Sequence, residues 1–318
     1  MDTIYAEQST SLPLRWIPSF AEGAAIFVTF LWSTSFILIK YGLPQIPPLD
    51  FAAYRYGLAS LVLLLATSFQ RRPSQGITRR DIGVLVLMAV TGYTVAQGFQ
   101  FLGLGLLSTD TTAFFQNMTP VFVLGISYPM VRDRPSKVQL VGLAVTFAGL
   151  FSFLLGQPVR AELGGVVIVL VGSVSWALYL VLLRATGISE RLGPLRFTAI
   201  TMSIGSLMLL ASGAFVGGAV SMSLEDWGIL AWLAFVNTAF AFYLWNVSLK
   251  VLTAFELSIL QNTMLVQIAL LSWLFLGEGI SLSMGLGMIF ILSGSGLVQL
   301  PELMPARFGR NRREILKG

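Results

Sequence analysis

Residues 116–133 return 145 positions later. Gln116 and Asn117 align with Gln261 and Asn262, Ser127 with Ser272, and Asp133 with Glu278. Further on, Gly142 and Gly149 align with Gly287 and Gly294, still without a gap. A match at one fixed offset over this length marks an internal duplication, which must be settled before any fold is considered. The copies differ in charge at one place. The first ends in Arg132, Arg134 and Lys137, where the second has Gly277, Gly279 and Leu282.

Both copies are built from apolar stretches near the roughly 20 residues a bilayer requires. Ten are expected, at 22–41, 51–69, 82–103, 111–131, 138–156, 164–184, 195–217, 227–249, 253–276 and 281–300. Helices are the default, because lipid offers no partner for a free backbone group and the period-two alternation of a barrel is missing. Only 11% of the 318 residues are charged, against about 25% in soluble domains. The expected class is therefore an all-α integral membrane protein. Its organisation is an N-terminal segment (1–21), a first repeat (22–156), a second repeat (164–300) and a basic tail (301–318). The first segment lacks the basic start, short apolar core and small-residue cleavage site of a signal peptide.

With the N-terminus placed inside, the inner segments hold 17 of the 20 Lys and Arg residues, leaving Lys40, Arg55 and Arg160 outside. That bias puts both termini in the cytoplasm, in the inner (plasma) membrane of a cell. It also explains the net charge of +5 without nucleic acid, since the cations sit in short loops between spans. Five spans per copy is an odd number, so the second copy enters from the opposite side. The result is two inverted five-helix repeats, an architecture of transporters that bind substrate near the midplane between the repeats. The first helices of the copies agree with this. Trp32 and Lys40 match Trp176 and Arg184 at offset 144, and Pro48-Leu49-Asp50-Phe51 matches Pro194-Leu195-Arg196-Phe197 at offset 146.

Several stretches resemble the drug/metabolite transporter superfamily, EamA-type permeases. They are Leu31-Trp32-Ser33-Thr34-Ser35-Phe36 with Lys40, Pro47-Pro48 leading to Arg55, Thr119-Pro120, and Gly142 with Gly149. Trp176, Leu276-Gly277-Glu278, Gly287 and Gly294 carry the likeness in the second copy. It covers residues 22 to 300 and implies the EamA fold and a permease. Related permeases export amino acids, drugs, sugars and other metabolites. The chain departs from the pattern at Leu265, where the first copy has Pro120, so the halves need not bend alike. It also departs at Arg132-Asp133, where Gly-Glu is common.

Trp32 and Trp176 lie near mid-span, whereas Trp16, Trp227, Trp232, Trp245 and Trp273 fall near span ends, as interfacial tryptophans do. A pseudo-twofold brings the pair to one cavity, where the rings can stack on a substrate; bulky packing between the helices is the other reading. Of Ser33, Thr34 and Ser35, two are expected to serve close packing and one, Ser35, the lining. Tyr93, Gln97 and Gln100 recur at i, i+4, i+7 and share a face that lipid would penalise. Their mates are Thr238, Phe242 and Trp245, with Asn237 and Asn246 nearby. Phe242, Asn237 and Tyr179 are counted with the lining; interhelical hydrogen bonding is the alternative for this face. Gln116, Asn117, Gln261 and Asn262 form two amide pairs about 100° apart on their helices. One amide of each pair can face the cavity while the other bonds a neighbouring helix. Pro120 removes the bond to the carbonyl of Gln116 and should kink its helix. That kink suits either a moving gate or a static bend.

Arg55, inside helix two, either snorkels to headgroups or meets an anionic substrate group or gate. Glu256, whose mate is Thr111, either carries protons or serves as a helix cap or in a salt bridge. Gly142, Gly149, Gly285, Gly287, Gly294 and Gly296 are expected on close-packing faces.

The absence of Cys and His removes disulfides, thiol chemistry, His-based metal sites and Ser-His triads. No metal, cofactor or catalytic residue is expected, and the chain is not read as an enzyme. No Gly-x-x-x-x-Gly-Lys loop is present, so energy would come from a gradient or exchange. The expected function is a secondary transporter moving an amino acid or similar amphiphilic metabolite by alternating access, as an exporter. Drug or cation efflux and nucleotide-sugar or lipid-linked substrate translocation are the alternatives, and an intramembrane enzyme or sensor is the non-transport one. The expected partners are a small-molecule substrate and the bilayer, with no nucleic acid; a monomer is compatible with the sequence.

Overall fold

The computed structural model describes residues 18–69, 76–131, 135–156, 162–216, 222–277 and 279–303, and these contain helices and no strand. The spans are α1 (Pro18–Gly42), α2 (Pro48–Ser68), α3 (Arg79–Leu106), α5 (Lys137–Leu155), α6 (Leu163–Thr186), α7 (Pro194–Val216), α8 (Leu224–Ser248) and α10 (Leu282–Leu303). Two spans are broken: α4 into Thr109–Gln116 and Thr119–Val131, and α9 into Ala254–Gln261 and Thr263–Leu276. A short helix, Ile188–Leu192, joins α6 to α7 between Gly187 and Gly193, both at positive φ. Among the described residues nine helices are long and apolar enough to cross a membrane. The stretch expected as the fourth span is the exception, because two non-helical residues, Asn117 and Met118, separate its arms, where Asn262 alone separates those of α9. Expectations placed on Arg15, Trp16, Arg71, Arg72, Arg132, Asp133, Arg134, Arg160, Glu278 and the tail beyond Leu303 lie outside the described residues.

The break in α4 follows from Pro120, which cannot donate to the carbonyl of Gln116; the Thr119 hydroxyl donates to it instead (2.7 Å). α9 is broken as well, although the missing proline meant that the halves need not bend alike. Leu265 replaces the proline, yet the helix still interrupts at Asn262, and Thr263 turns its hydroxyl onto the carbonyl of Leu260 (2.7 Å). A buried threonine hydroxyl that bonds its own backbone offers the chain an alternative to the regular ladder.

The periphery repeats with the same arithmetic as the sequence. Thr78 and Asp81 form a capping box at the start of α3, and Ser223 and Asp226 form one, 145 residues on, at α8. Ser108 caps α4 through the N–H of Thr111, and Thr253 caps α9 through that of Glu256. Each cap satisfies helix-start donors that lipid would leave bare. The far ends of α3 and α8 are closed alike by a cation from a neighbour. Lys40 donates to the carbonyls of Leu104 (2.9 Å) and Leu107 (3.1 Å), and Arg184 to that of Leu249 (3.4 Å). Positive charge is favoured there by the helix dipole. Lys40 therefore caps a helix.

The helix pairings are exchanged as a twofold requires: α2 packs on α7, α5 on α10, α3 on α6, and α8 on α1. At α5–α10 the contact is backbone on backbone. A Cβ on Gly149 would lie 2.7 Å from the carbonyl oxygen of Gly287, and one on Gly294 would lie 2.6 Å from that of Gly142. Gly285 and Gly296 face open space, so the expected close-packing role holds for Gly142, Gly149, Gly287 and Gly294 only.

α3 and α8 share one more irregularity. Val90–Val95 and Phe235–Phe240, again 145 residues apart, form π-helical turns. Such a turn holds one residue more than an α-turn and loosens backbone carbonyls that other groups can read. The Ser175 hydroxyl donates to the carbonyl of Thr91 (3.0 Å), and the Gln97 amide to that of Gly92 (3.4 Å). In α8, the Arg55 Nη2 donates to the carbonyl of Asn237 (3.3 Å).

Candidate functional site

Between the two halves lies a cleft spanning about 420 Å³ of space free of protein atoms, open solvent included. α1 contributes Trp32 and Ser35; α2, Arg55 and Tyr56; α3, Ala96, Gln97 and Gln100; α4, Gln116; α6, Trp176; α8, Phe242; and α9, Gln261 and Met264. The site thus draws on the six helices expected of it, and on α2 besides.

Trp32 and Trp176 meet edge to face, 6.2 Å between ring centroids. Trp32 also leans on Phe242 (5.1 Å) and Trp245 (4.8 Å). Trp176 stacks on Tyr179 (4.9 Å, 14° between planes) and donates its indole N–H to Gln261 Oε1 (2.8 Å). The indole N–H of Trp32 is buried in the same place and has no hydrogen-bond partner. The twin tryptophans are equal in position and unequal in bonding. Trp245, expected near the interface, is fully buried against Trp32, because α8 turns that residue inward.

The polar lining is mostly committed within the protein. The Tyr56 hydroxyl donates to Gln97 Oε1 (2.7 Å), and the Ser35 hydroxyl to the carbonyl of Trp32 (2.6 Å). Ser33 and Thr34 serve contacts between helices. Ser33 donates to Gln267 Oε1 of α9 (2.8 Å), and Thr34 Oγ1 accepts from Asn237 Nδ2 of α8 (2.9 Å). Asn237 also donates to the carbonyl of Leu31. It therefore ties α8 to α1 beside the cavity without lining it.

Arg55 does not reach for headgroups; it is 2% exposed. Its Nε donates to Thr238 Oγ1 (2.6 Å), and its guanidinium lies 5.5 Å from the Tyr56 ring and 5.8 Å from that of Phe101. Thr238 Oγ1 in turn donates to the carbonyl of Leu233 (2.8 Å) across the π turn. The irregular turn in α8 is what offers Arg55 its two acceptors.

Tyr93 stands apart from Gln97 and Gln100, packed on Tyr56, Tyr179 and Phe242 in the aromatic cluster beside the cavity. The four-residue spacing that put it on their face assumes 3.6 residues per turn, and Tyr93 sits inside the π turn. Tyr179 lies in the same cluster, behind Trp176, and donates to Asn246 Oδ1 (3.2 Å). Gln116 and Gln261 line the cavity, while Asn117 bonds the carbonyl of Ala113 (2.6 Å). Asn262 is buried at the α9 break with both side-chain atoms unpartnered. Pro120 is buried just past the α4 break.

Glu256 lies at the cap of α9, away from the cavity lining. It completes the capping box with Thr253, accepts from Gln139 Nε2 of α5 (3.1 Å), and is 1% exposed. Nearby, Arg191 pairs with Asp81. Tyr56, Ala96 and Met264 were missed as lining residues. Tyr56 follows Arg55 directly, and Met264 follows the Gln261-Asn262 pair by two, so their neighbourhood was the available signal. Among the described residues no cluster of carboxylates could hold a metal ion.

The profile of the EamA-like transporter family matches the chain twice, over residues 19–155 and 163–300. Among curated proteins, an uncharacterized transporter of Bacillus subtilis, YyaM, is 26% identical over 280 residues, covering 84% of this chain and 91% of that one. A protein of Chlamydia muridarum named S-adenosylmethionine/S-adenosylhomocysteine transporter is 27% identical over 314 residues, covering 92% and 96%. One solved crystal structure superposes with a TM-score of 0.72 over 90% of this chain and 98% of its own, at 17% identity, a likeness of fold.

Proposed function

This chain belongs to the EamA-like transporter family, and from that premise we propose that it is a secondary transporter of a small amphiphilic metabolite, an amino acid or close relative. The observation that carries this reading is the cavity between the halves, lined by the mates Trp32 and Trp176, Gln97 and Phe242, and Gln116 and Gln261. Rocking one half against the other would expose such a site to each side in turn. The broken α4 and α9 and the π turns of α3 and α8 border the site, and irregular helices of this kind are where a bundle bends.

In this reading residues 22–156 and 164–300 are the moving halves, and both termini face the cytoplasm of a plasma-membrane exporter. The excess of cations in the inward loops supports that orientation. Energy comes from a gradient or from exchange. The capping role of Glu256 speaks against its carrying the coupling proton. A catalytic role is disfavoured because the cavity lining offers no nucleophile paired with a base.

Efflux of an amphiphilic cation is the second reading, and the aromatic walls favour it. A buried arginine in the lining disfavours a bare cation. The two compounds in the Chlamydia relative's name each carry an α-amino acid group, which fits the first reading. The test is flux of radiolabelled amino acids, sugars and cationic drugs from proteoliposomes, with Trp32→Ala as the site variant. Movement of none of these under any imposed gradient would overturn the proposal.

A further inference from the structure

We infer that the ligand of this cavity carries a single carboxylate and that Arg55 is the residue that binds it. The inference rests on the transport reading and names the anionic end of the substrate.

Arg55 is held but not neutralised. Its two protein acceptors, Thr238 Oγ1 and the carbonyl of Asn237, are uncharged. Among the described residues no carboxylate pairs with it. A guanidinium has five N–H donors in a planar fork, so most remain for a group in the cavity. A buried charge without a counter-charge is costly, and an incoming anion removes that cost.

The rest of the lining agrees. The indole N–H of Trp32 is a second buried donor with nothing to meet. Two of the neighbouring amide oxygens are taken: Gln97 Oε1 by Tyr56, and Gln261 Oε1 by Trp176. A site with buried donors to spare suits a group that accepts, and the arginine fork fits a carboxylate in two bonds.

The charge is on one side only. The mate of Arg55 at offset 146 is Thr201, and the mate of Thr238 at offset 145 is Tyr93. The second half therefore sets a neutral pair where the first sets a cation. One arginine among Trp32, Trp176, Phe242 and Met264 fits a ligand with one anionic end and an apolar or aromatic body.

The experiment compares L-phenylalanine and L-leucine with their carboxamides, by thermal shift of the purified full chain and by flux in proteoliposomes. Wild type should prefer each acid by about ten- to a hundred-fold, the range of a charged hydrogen bond. Arg55→Gln should abolish the preference while still accepting the amides, and Arg55→Lys should keep part of it. Thr238→Val, which keeps the charge but unseats the fork, should reduce the preference and serves if Arg55→Gln does not fold. Equal handling of acids and amides by wild type, or a preference that survives Arg55→Gln, overturns the inference and leaves transport standing. If neither series binds or moves, the transport reading fails for these solutes and the inference falls with it.

Discussion

The two halves of this molecule are near copies at their edges and unlike at their meeting point. Helix caps, π turns and close-packed glycines recur at one offset, from Thr78 with Ser223 to Gly149 with Gly294, and the C-terminal cations Lys40 and Arg184 recur one residue off it. Around the cavity the mates part. Arg55 faces Thr238 where the other half sets Thr201 beside Tyr93, and Trp32 keeps a free N–H where Trp176 spends its own on Gln261. On the proposed transport reading, symmetry at the edges gives either half the same mechanical part, and asymmetry in the middle gives the site two different ends for a ligand.

The strongest challenge to the symmetric edge is at α5–α10. Gly149→Val and Gly294→Val should each destabilise by about 3 kcal/mol, since the obstructing atoms are backbone and cannot yield. Gly296→Ala, facing open space, should stay within about 0.5 kcal/mol. Thermal unfolding in detergent checks all three, and a large difference between the two valine variants would break the claimed equivalence of the halves. Next in size, Thr238→Val should cost about 2 kcal/mol, because it leaves the Nε of a buried arginine unpaired. Thr201→Val removes a hydroxyl bonded chiefly within its own helix and should cost less.

A finer probe separates the tryptophans. Trp176→Phe strands the Gln261 oxygen and should cost about 1 kcal/mol of stability. Trp32→Phe breaks no protein hydrogen bond, so it should lower substrate affinity in a binding assay more than it lowers the unfolding midpoint. The smallest effect expected is at the C-terminal cations. Lys40→Met and Arg184→Met should each cost about 0.5 kcal/mol, and alike, in the same unfolding assay.

Parts of this were legible in the chain. The duplication located the tryptophan and glutamine mates because it is written in residue identities. The polar lining was legible where the helix is regular, as at Gln97 and Gln100. It failed at Tyr93, since a π turn inserts a residue that no local pattern announces. Glu256 was ambiguous because a cap and a proton carrier can both place an acid in the first turn. Thr253, three residues earlier, was the signal for the cap.

The sequence by itself determined the membrane class, the helical state and the twofold plan, for physical reasons that act along the chain. Lipid forbids unpaired backbone, span length is set by bilayer thickness, and an odd number of spans inverts the copy. Only the tertiary structure decided what depends on groups distant in sequence. It brought Arg55 to the loosened turn of α8, 183 residues away, and so buried a cation the chain alone would have sent to the surface. It gave Trp176 a partner 85 residues on and left Trp32 without one, because hydrogen bonds across a bundle follow where helices cross and not how residues are spaced.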